Sequence, residues 1–186
     1  SRETPSIVIS REDDLLETGG GIAKALPLLG AAPFYAANAD VVWRDGPMPA
    51  LHRLARAWVD DDMDALLLLA STVRSTGYDG YGDFLMDPVG LLERRPERVV
   101  APFVFTGVQI LHPRLFAGAP DGAFSMNVLY DRALDAGRLF GIAMTGTGIT
   151  SVRRLRLPRR MPKFSNAKVP ASGCCSEHGN GHRRPA

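Results

Sequence analysis

Residues 65–70 read Ala-Leu-Leu-Leu-Leu-Ala. A run this continuously apolar is what a central strand of a parallel sheet, buried on both faces, looks like. Upstream, Pro47–Val59 places Leu51, Leu54, Ala55 and Trp58 at helical spacing, with His52, Arg53 and Arg56 on the other face. Pro33–Asn38 is a second apolar run that ends at Asp40, and Ile22–Leu29 reads as a helix. It follows a glycine loop at Glu17-Thr18-Gly19-Gly20-Gly21, and Ser6–Ser10 (SIVIS) reads as a short buried strand. Downstream, Asp83–Glu93 predicts a hairpin turning at Asp87-Pro88-Val89-Gly90. Phe103–Leu111 is a long strand. Ser125 caps a helix whose apolar side is Met126, Leu129, Tyr130, Ala133 and Leu134, and Leu139–Met144 is a last strand. Strands alternating with helices predict an α/β domain with a mainly parallel sheet.

The 186 residues, 45% hydrophobic and 23% charged, suit one domain of fair size. No apolar run reaches the ~18 residues of a membrane span, and no secretory signal opens the chain, so the cytoplasm is the expected compartment. Cys174 and Cys175 are adjacent and cannot staple a fold. The net charge of +2 averages two unlike parts. Residues 1–150 carry thirteen Lys/Arg against nineteen Asp/Glu, a balance of −6. Residues 151–186 carry nine against one, a balance of +8.

Three motifs bear on chemistry. Gly19-Gly20-Gly21 before a helix lets backbone approach a ligand and offers free N–H groups to an anion, or it is simply a flexible turn. Asn38-Ala39-Asp40 ends a strand, where ligands of open α/β sheets bind. A carboxylate there, beside phosphates, is a usual way to hold Mg²⁺, although an Asp that caps the next turn reads the same. Gly107, within Phe105-Thr106-Gly107, weakens a strand unless a sugar packs over it or a β-bulge needs it. Gly77–Gly82 (GYDGYG) suits a loop over a site, and such loops also occur without function. No histidine pairs with a suitable Cys, Asp or Glu, and Asp60, Asp61, Asp62 and Asp64 read as a solvated loop. The Cys174-Cys175…His178…His182 spacing fits no standard zinc module. There is no Ser-His-Asp constellation and no P-loop.

In chain order, LLETGGGIAKALPLL, PFYAANADVVW, GYGDFLMD, VAPFVFTGVQILHPRLF and FSMNVLYDRAL resemble the sugar-1-phosphate nucleotidyltransferases. The closest likeness is to the small bacterial branch acting on mannose 1-phosphate or N-acetylmuramate 1-phosphate. It runs from about Pro5 to Thr147. The resemblance implies a Rossmann-like sheet and transfer of a nucleotidyl group from an NTP to a sugar 1-phosphate. It implies that Glu17, Thr18, Gly19, Gly20, Gly21 and Asn38 lie beside nucleotide and sugar. Asp40 would be the catalytic, Mg²⁺-holding carboxylate, and Thr106 and Gly107 would lie along the sugar.

Two departures stand out. The family's first strand and glycine-rich triphosphate loop have no counterpart after Ser1, so the chain is expected to be a fragment that lacks its first strands and is itself inactive. From Gly148 the family's Trp-x-(Asp/His)-Val-Gly-(Thr/Ser)-Pro stretch is also missing. Plausible GC-rich codons for residues 148–163, with one T restored in front, read WYHVGSPAALAEADAK. Residues 1–147 are therefore expected to be a partial nucleotidyltransferase domain, and 148–186 a frameshifted, basic and disordered tail. The alternative is a catalytically dead remnant that binds sugar phosphate only. A nucleic-acid partner for Arg153–Arg160 is not expected, because the tail has no aromatic platform beyond Phe164.

Overall fold

A computed structural model describes residues 6–75, 78 and 80–151, which fall in one compact unit. The 65–70 run forms β3 (Ala65–Ser71). It lies between β6 (Phe103–Leu111), antiparallel to it, and β7 (Leu139–Ala143), parallel to it. On its other edge β6 carries β1 (Phe34–Ala37) along its second half. Its first residue pairs with β4 (Phe84–Met86), which in turn pairs with β5 (Leu92–Arg94). A separate antiparallel pair joins β2 (Val41–Arg44) to β8 (Thr147–Ser151). The described residues also form the α-helices α1 (Glu17–Leu29), α2 (Ala50–Ala57) and α3 (Asn127–Asp135).

The α/β class holds, but the sheet is mixed. Among the described strands β3 and β7 form the one parallel pair. The unbroken burial of β3 has another source, a core on each face. Successive side chains of a strand alternate in direction. Ala65, Leu67 and Leu69 therefore enter one cluster with Leu129, Tyr130 and Ala133 of α3 and Ile22 and Leu26 of α1. Leu66 and Leu68 enter the other with Leu54 of α2 and with Val108 and Ile110. Burial on both faces reports helices above and below, not strand direction.

Several local readings hold. The predicted hairpin turn is closed by Asp87, whose Oδ1 accepts the N–H groups of Val89 and Leu91 at 3.0 and 2.8 Å, with Gly90 at φ +93°. The N-cap of α3 is Met126, one residue after the expected Ser125, whose Oγ accepts the Asn127 N–H at 3.3 Å; the predicted apolar side of that helix is the buried one. On α2 the buried residues are Ala50 and Leu54. Leu51 and Ala55, expected on the apolar face, are exposed, and Arg53 instead reaches the Ala143 carbonyl at 2.8 Å.

Other readings need correction. Ser6–Ser10 forms no strand, and Ile7, Val8 and Ile9 stand in solvent. Helix α1 starts at Glu17 and takes all three glycines into its first turns. The 60–64 loop is not merely solvated. Asp64 Oδ1 accepts from Arg114 Nε at 2.8 Å and Arg138 Nε at 2.9 Å, tying the starts of β3 and β7 to the end of β6. His112 also lies 3.8 Å from Asp60, so one histidine does have a carboxylate neighbour. The tail expected to be disordered from residue 148 begins otherwise, since residues 148–151 belong to β8 and pair with β2; the rest, from residue 152 and with the Cys174–His182 stretch, lies outside the described residues.

Candidate functional site

The C-terminal end of β1 meets the middle of β6. The Asn38 N–H donates to the Gly107 carbonyl at 2.9 Å. Here β6 is irregular: Leu67 pairs with Gln109 and Leu69 with Phe105, so residues 106–108 face Leu68 alone. Such a bulge needs unusual dihedrals, and Gly107 supplies φ +84°. A Cβ at Gly107 would also lie 2.8 Å from Asn38 Nδ2 and 3.0 Å from Val41. Bulge and close approach thus operate together, and the approaching group is the protein's own Asn38. Thr106 is buried at the bulge, where its Oγ1 accepts the Val108 N–H at 3.2 Å.

The glycines of α1 divide into two sets. Gly19 and Gly20 are buried, and their N–H groups donate to the Phe124 carbonyl at 2.9 and 3.2 Å. A Cβ on Gly19 would strike the Phe124 ring at 2.5 Å, and one on Gly20 would collide with the Gly122 carbonyl. These two glycines let α1 pack against the 122–124 segment, so their amides are not offered to an anion as the sequence suggested. Gly21 differs. With Thr18, Asn38 and Gln109 it lines a groove of about 250 Å³ between α1 and β1. Glu17 opens the helix, exposed and at φ +57°, a left-handed conformation unusual for a residue with a side chain.

Asp40 stands exposed in the turn between β1 and β2, two residues beyond Asn38. Among the described residues no three His, Cys, Asp or Glu gather as a metal cage. An exposed Asp is the type of ligand that suits Mg²⁺, which keeps several waters and takes other ligands from substrate phosphates.

The fold therefore brings Thr18, Gly21 and Asn38 to one groove, sets Gly107 against Asn38, and puts Asp40 in the next turn. It separates Gly19 and Gly20 from that groove. The sequence reading missed Gln109, a buried carboxamide whose Oε1 accepts the Tyr130 hydroxyl at 2.7 Å. A Gln inside an otherwise apolar strand was the available signal. It also missed Asp83, which accepts the Phe105 N–H at 2.8 Å and so fixes the strand leading into the bulge. The glycine-tyrosine stretch before Asp83 is only partly described. There the Gly82 N–H donates to the Tyr78 hydroxyl at 3.0 Å.

Over 143 residues, 76% of this chain, the sequence is 42% identical to the N-acetylmuramate alpha-1-phosphate uridylyltransferase of Caulobacter vibrioides. The chain is a homologue of that uridylyltransferase. The protein of the same name from Neisseria meningitidis serogroup B is 37% identical over 109 residues, 58% of this chain. These matches cover 59% and 44% of the two relatives, so the chain spans about half the length of the uridylyltransferases it resembles. No family model matches it. Among solved structures, HddC from Yersinia pseudotuberculosis complexed with GMP-PN superposes with a TM-score of 0.56 at 16% identity, covering 76% of this chain and 59% of that one. The inositol-1-phosphate CTP transferase of T. maritima gives 0.57 at 13%, covering 78% and 60%. UDP-glucose pyrophosphorylase complexed with UDP-glucose gives 0.57 at 13%, covering 77% and 59%. At these identities the structures speak for the fold alone. The described α/β sheet shares the fold of these structures over about three quarters of this chain.

Proposed function

We propose that residues 1–147 are the nucleotidyltransferase domain of an enzyme that transfers UMP from UTP to N-acetylmuramate α-1-phosphate, giving the UDP-sugar and pyrophosphate. The 148–186 segment carries no part of the reaction. The observation that supports this most directly is the 42% identity to the Caulobacter uridylyltransferase over 143 residues. The products would enter cell-wall precursor metabolism, and the compartment would be the cytoplasm, where nucleoside triphosphates are available.

In this reading an oxygen of the sugar phosphate attacks the α-phosphorus in line and pyrophosphate leaves. No covalent enzyme intermediate is needed, so the protein's contribution is positioning and charge. Thr18 and Asn38 offer hydrogen-bonding groups at the groove, and Gly21 keeps its wall low. Glu17, exposed at the start of α1, accepts hydroxyl donors of the sugar or ribose. Gly19 and Gly20 hold α1 against Phe124 and act through its position, and Thr106 and Gly107 hold Asn38 at the strand end. Asp40 would hold Mg²⁺, which when bound neutralises charge on the reacting phosphates.

The test is pyrophosphate release from UTP and N-acetylmuramate α-1-phosphate by the protein that carries this chain. Asp40→Asn keeps the shape and removes the charge. It should lower the rate on the order of a thousandfold with an unchanged circular dichroism spectrum. Full activity in that variant would reject the role of Asp40. Calorimetric binding of the sugar phosphate with no pyrophosphate release by the native protein would reject the transfer reaction itself.

A further inference from the structure

The second half of α2 carries two cations that the transfer reaction does not use. Arg53 and Arg56 lie three residues apart, a spacing that sets them side by side on one face of the helix. Both line a cavity of about 330 Å³ between α2 and the end of β7, together with Met48, Ala57 and Ile142. None of these residues lines the groove at Thr18, Gly21 and Asn38.

Two like charges at this spacing repel each other unless an anion joins them. Among the described residues no carboxylate pairs with either guanidinium. Arg53 Nη1 donates to neutral oxygens, the Ala143 carbonyl at 2.8 Å and Thr145 Oγ1 at 3.4 Å. Those bonds anchor the half-buried Arg53 side chain without cancelling its charge. Arg56 Nη1 meets the Met48 sulfur at 4.0 Å. The carboxylates that flank α2 in sequence are engaged elsewhere. Asp45 Oδ1 accepts the Trp43 Nε1–H at 3.1 Å and the Ala50 N–H at 2.8 Å. Asp60 accepts the Trp58 Nε1–H and faces His112 and Arg114. Most donors of both guanidinium forks are thus left for a ligand.

The chemistry of the lining selects that ligand. Guanidinium forks bind phosphate oxygens in pairs, and a phosphate monoester brings roughly two negative charges at neutral pH, where a carboxylate brings one. The rest of the lining is apolar. Ile142 is packed against the core cluster of Leu54 and Leu66, and Ala57 against the same cluster. Such a wall suits the carbon skeleton of an ester, which inorganic phosphate lacks. We propose that this cavity binds an organic phosphate monoester, with Arg53 and Arg56 on the phosphate and Met48 and Ile142 against its apolar part.

Phenyl phosphate joins those two chemistries and is no nucleotidyl donor or acceptor sugar. An NMR titration of the isotope-labelled 186-residue chain tests the site with it. A dissociation constant below about 1 mM is expected, with amide shifts at Met48, Arg53, Arg56 and Ile142. Inorganic phosphate and benzoate, each carrying half of the chemistry, should bind at least about threefold and tenfold more weakly. Arg56→Gln removes a charge from an exposed side chain. It should weaken phenyl phosphate binding at least about tenfold with an unchanged circular dichroism spectrum. No saturable shift up to about 10 mM phenyl phosphate overturns the proposal. So do shifts confined to Thr18, Gly21 and Asn38, benzoate or inorganic phosphate binding as tightly as the ester, or an unchanged affinity in Arg56→Gln. If that variant fails to fold, the comparison of the three ligands on the parent chain decides.

Discussion

Asn38 and Gly107 occupy the same space from two strands: the Asn38 N–H holds the Gly107 carbonyl at 2.9 Å, and the Asn38 carboxamide fills the volume that a Gly107 side chain would take. The geometry at the end of β1 thus depends on an absent Cβ one strand away. Gly107→Ala should destabilise the protein by about 2 kcal/mol, combining a left-handed φ with a steric clash. Asn38→Ala in the same chain should return the clash component and leave the dihedral cost. Urea denaturation of the single and double variants separates the two.

The glycines of α1 are expected to respond differently. Gly20→Ala drives a Cβ into the Gly122 carbonyl, which is backbone and cannot step aside, so it should cost about 2 kcal/mol or more. At Gly21 the added Cβ meets only the end of the Glu12 side chain, at 2.7 Å. Gly21→Ala should stay within about 0.5 kcal/mol of the parent and show its effect in ligand affinity. Thermal midpoints beside nucleotide titrations check the contrast.

Tyr130 and Gln109 form a buried polar pair inside an apolar cluster, and burial pushes the Tyr130 phenol well above its usual range. Tyr130→Phe leaves the Gln109 oxygen without its donor and should cost about 1–3 kcal/mol. Adding Gln109→Leu removes the orphaned group, so the double variant should be less destabilised than the sum of the singles. A double-mutant cycle in urea measures the coupling.

His112 predicts a pH dependence. Its Nδ1 accepts the Arg114 N–H at 3.0 Å, and its pKa lies below the usual histidine value, through burial first and the Arg114 charge second. Asp60 and Asp64 pull the other way and Arg138 pushes with Arg114. A depressed folded pKa means that the folded state favours the neutral ring. The contribution is fully present above the unfolded value near 6.5 and is lost as pH falls through the lower folded value. Urea midpoints should therefore fall from about pH 7.5 to pH 5.5, and His112→Asn, which keeps an acceptor that does not titrate, should flatten that fall. An equal slope in the variant would remove His112 as the cause.

Local chemistry carried much of this protein into view. Phe103–Leu111 is a strand with the bounds expected of it, because its Phe, Val and Ile residues favour extended backbone. The Asp87–Gly90 turn follows from a side chain that bonds its own neighbouring backbone. The strand-end position of Asn38 and Asp40 was legible for the same local reason.

Tertiary contacts decided the rest. Ala65–Ala70 reads alike whether its neighbours run parallel or antiparallel, because burial depends on what covers a strand and not on its direction. A run of three glycines states only that side chains are absent. That Gly19 and Gly20 admit Phe124 and Gly122 depends on a segment a hundred residues away, and that Gly21 faces a groove depends on β1. SIVIS carries strand chemistry but pairs with no strand among the described residues, and a strand takes its hydrogen bonds from a neighbour while a helix takes them from itself.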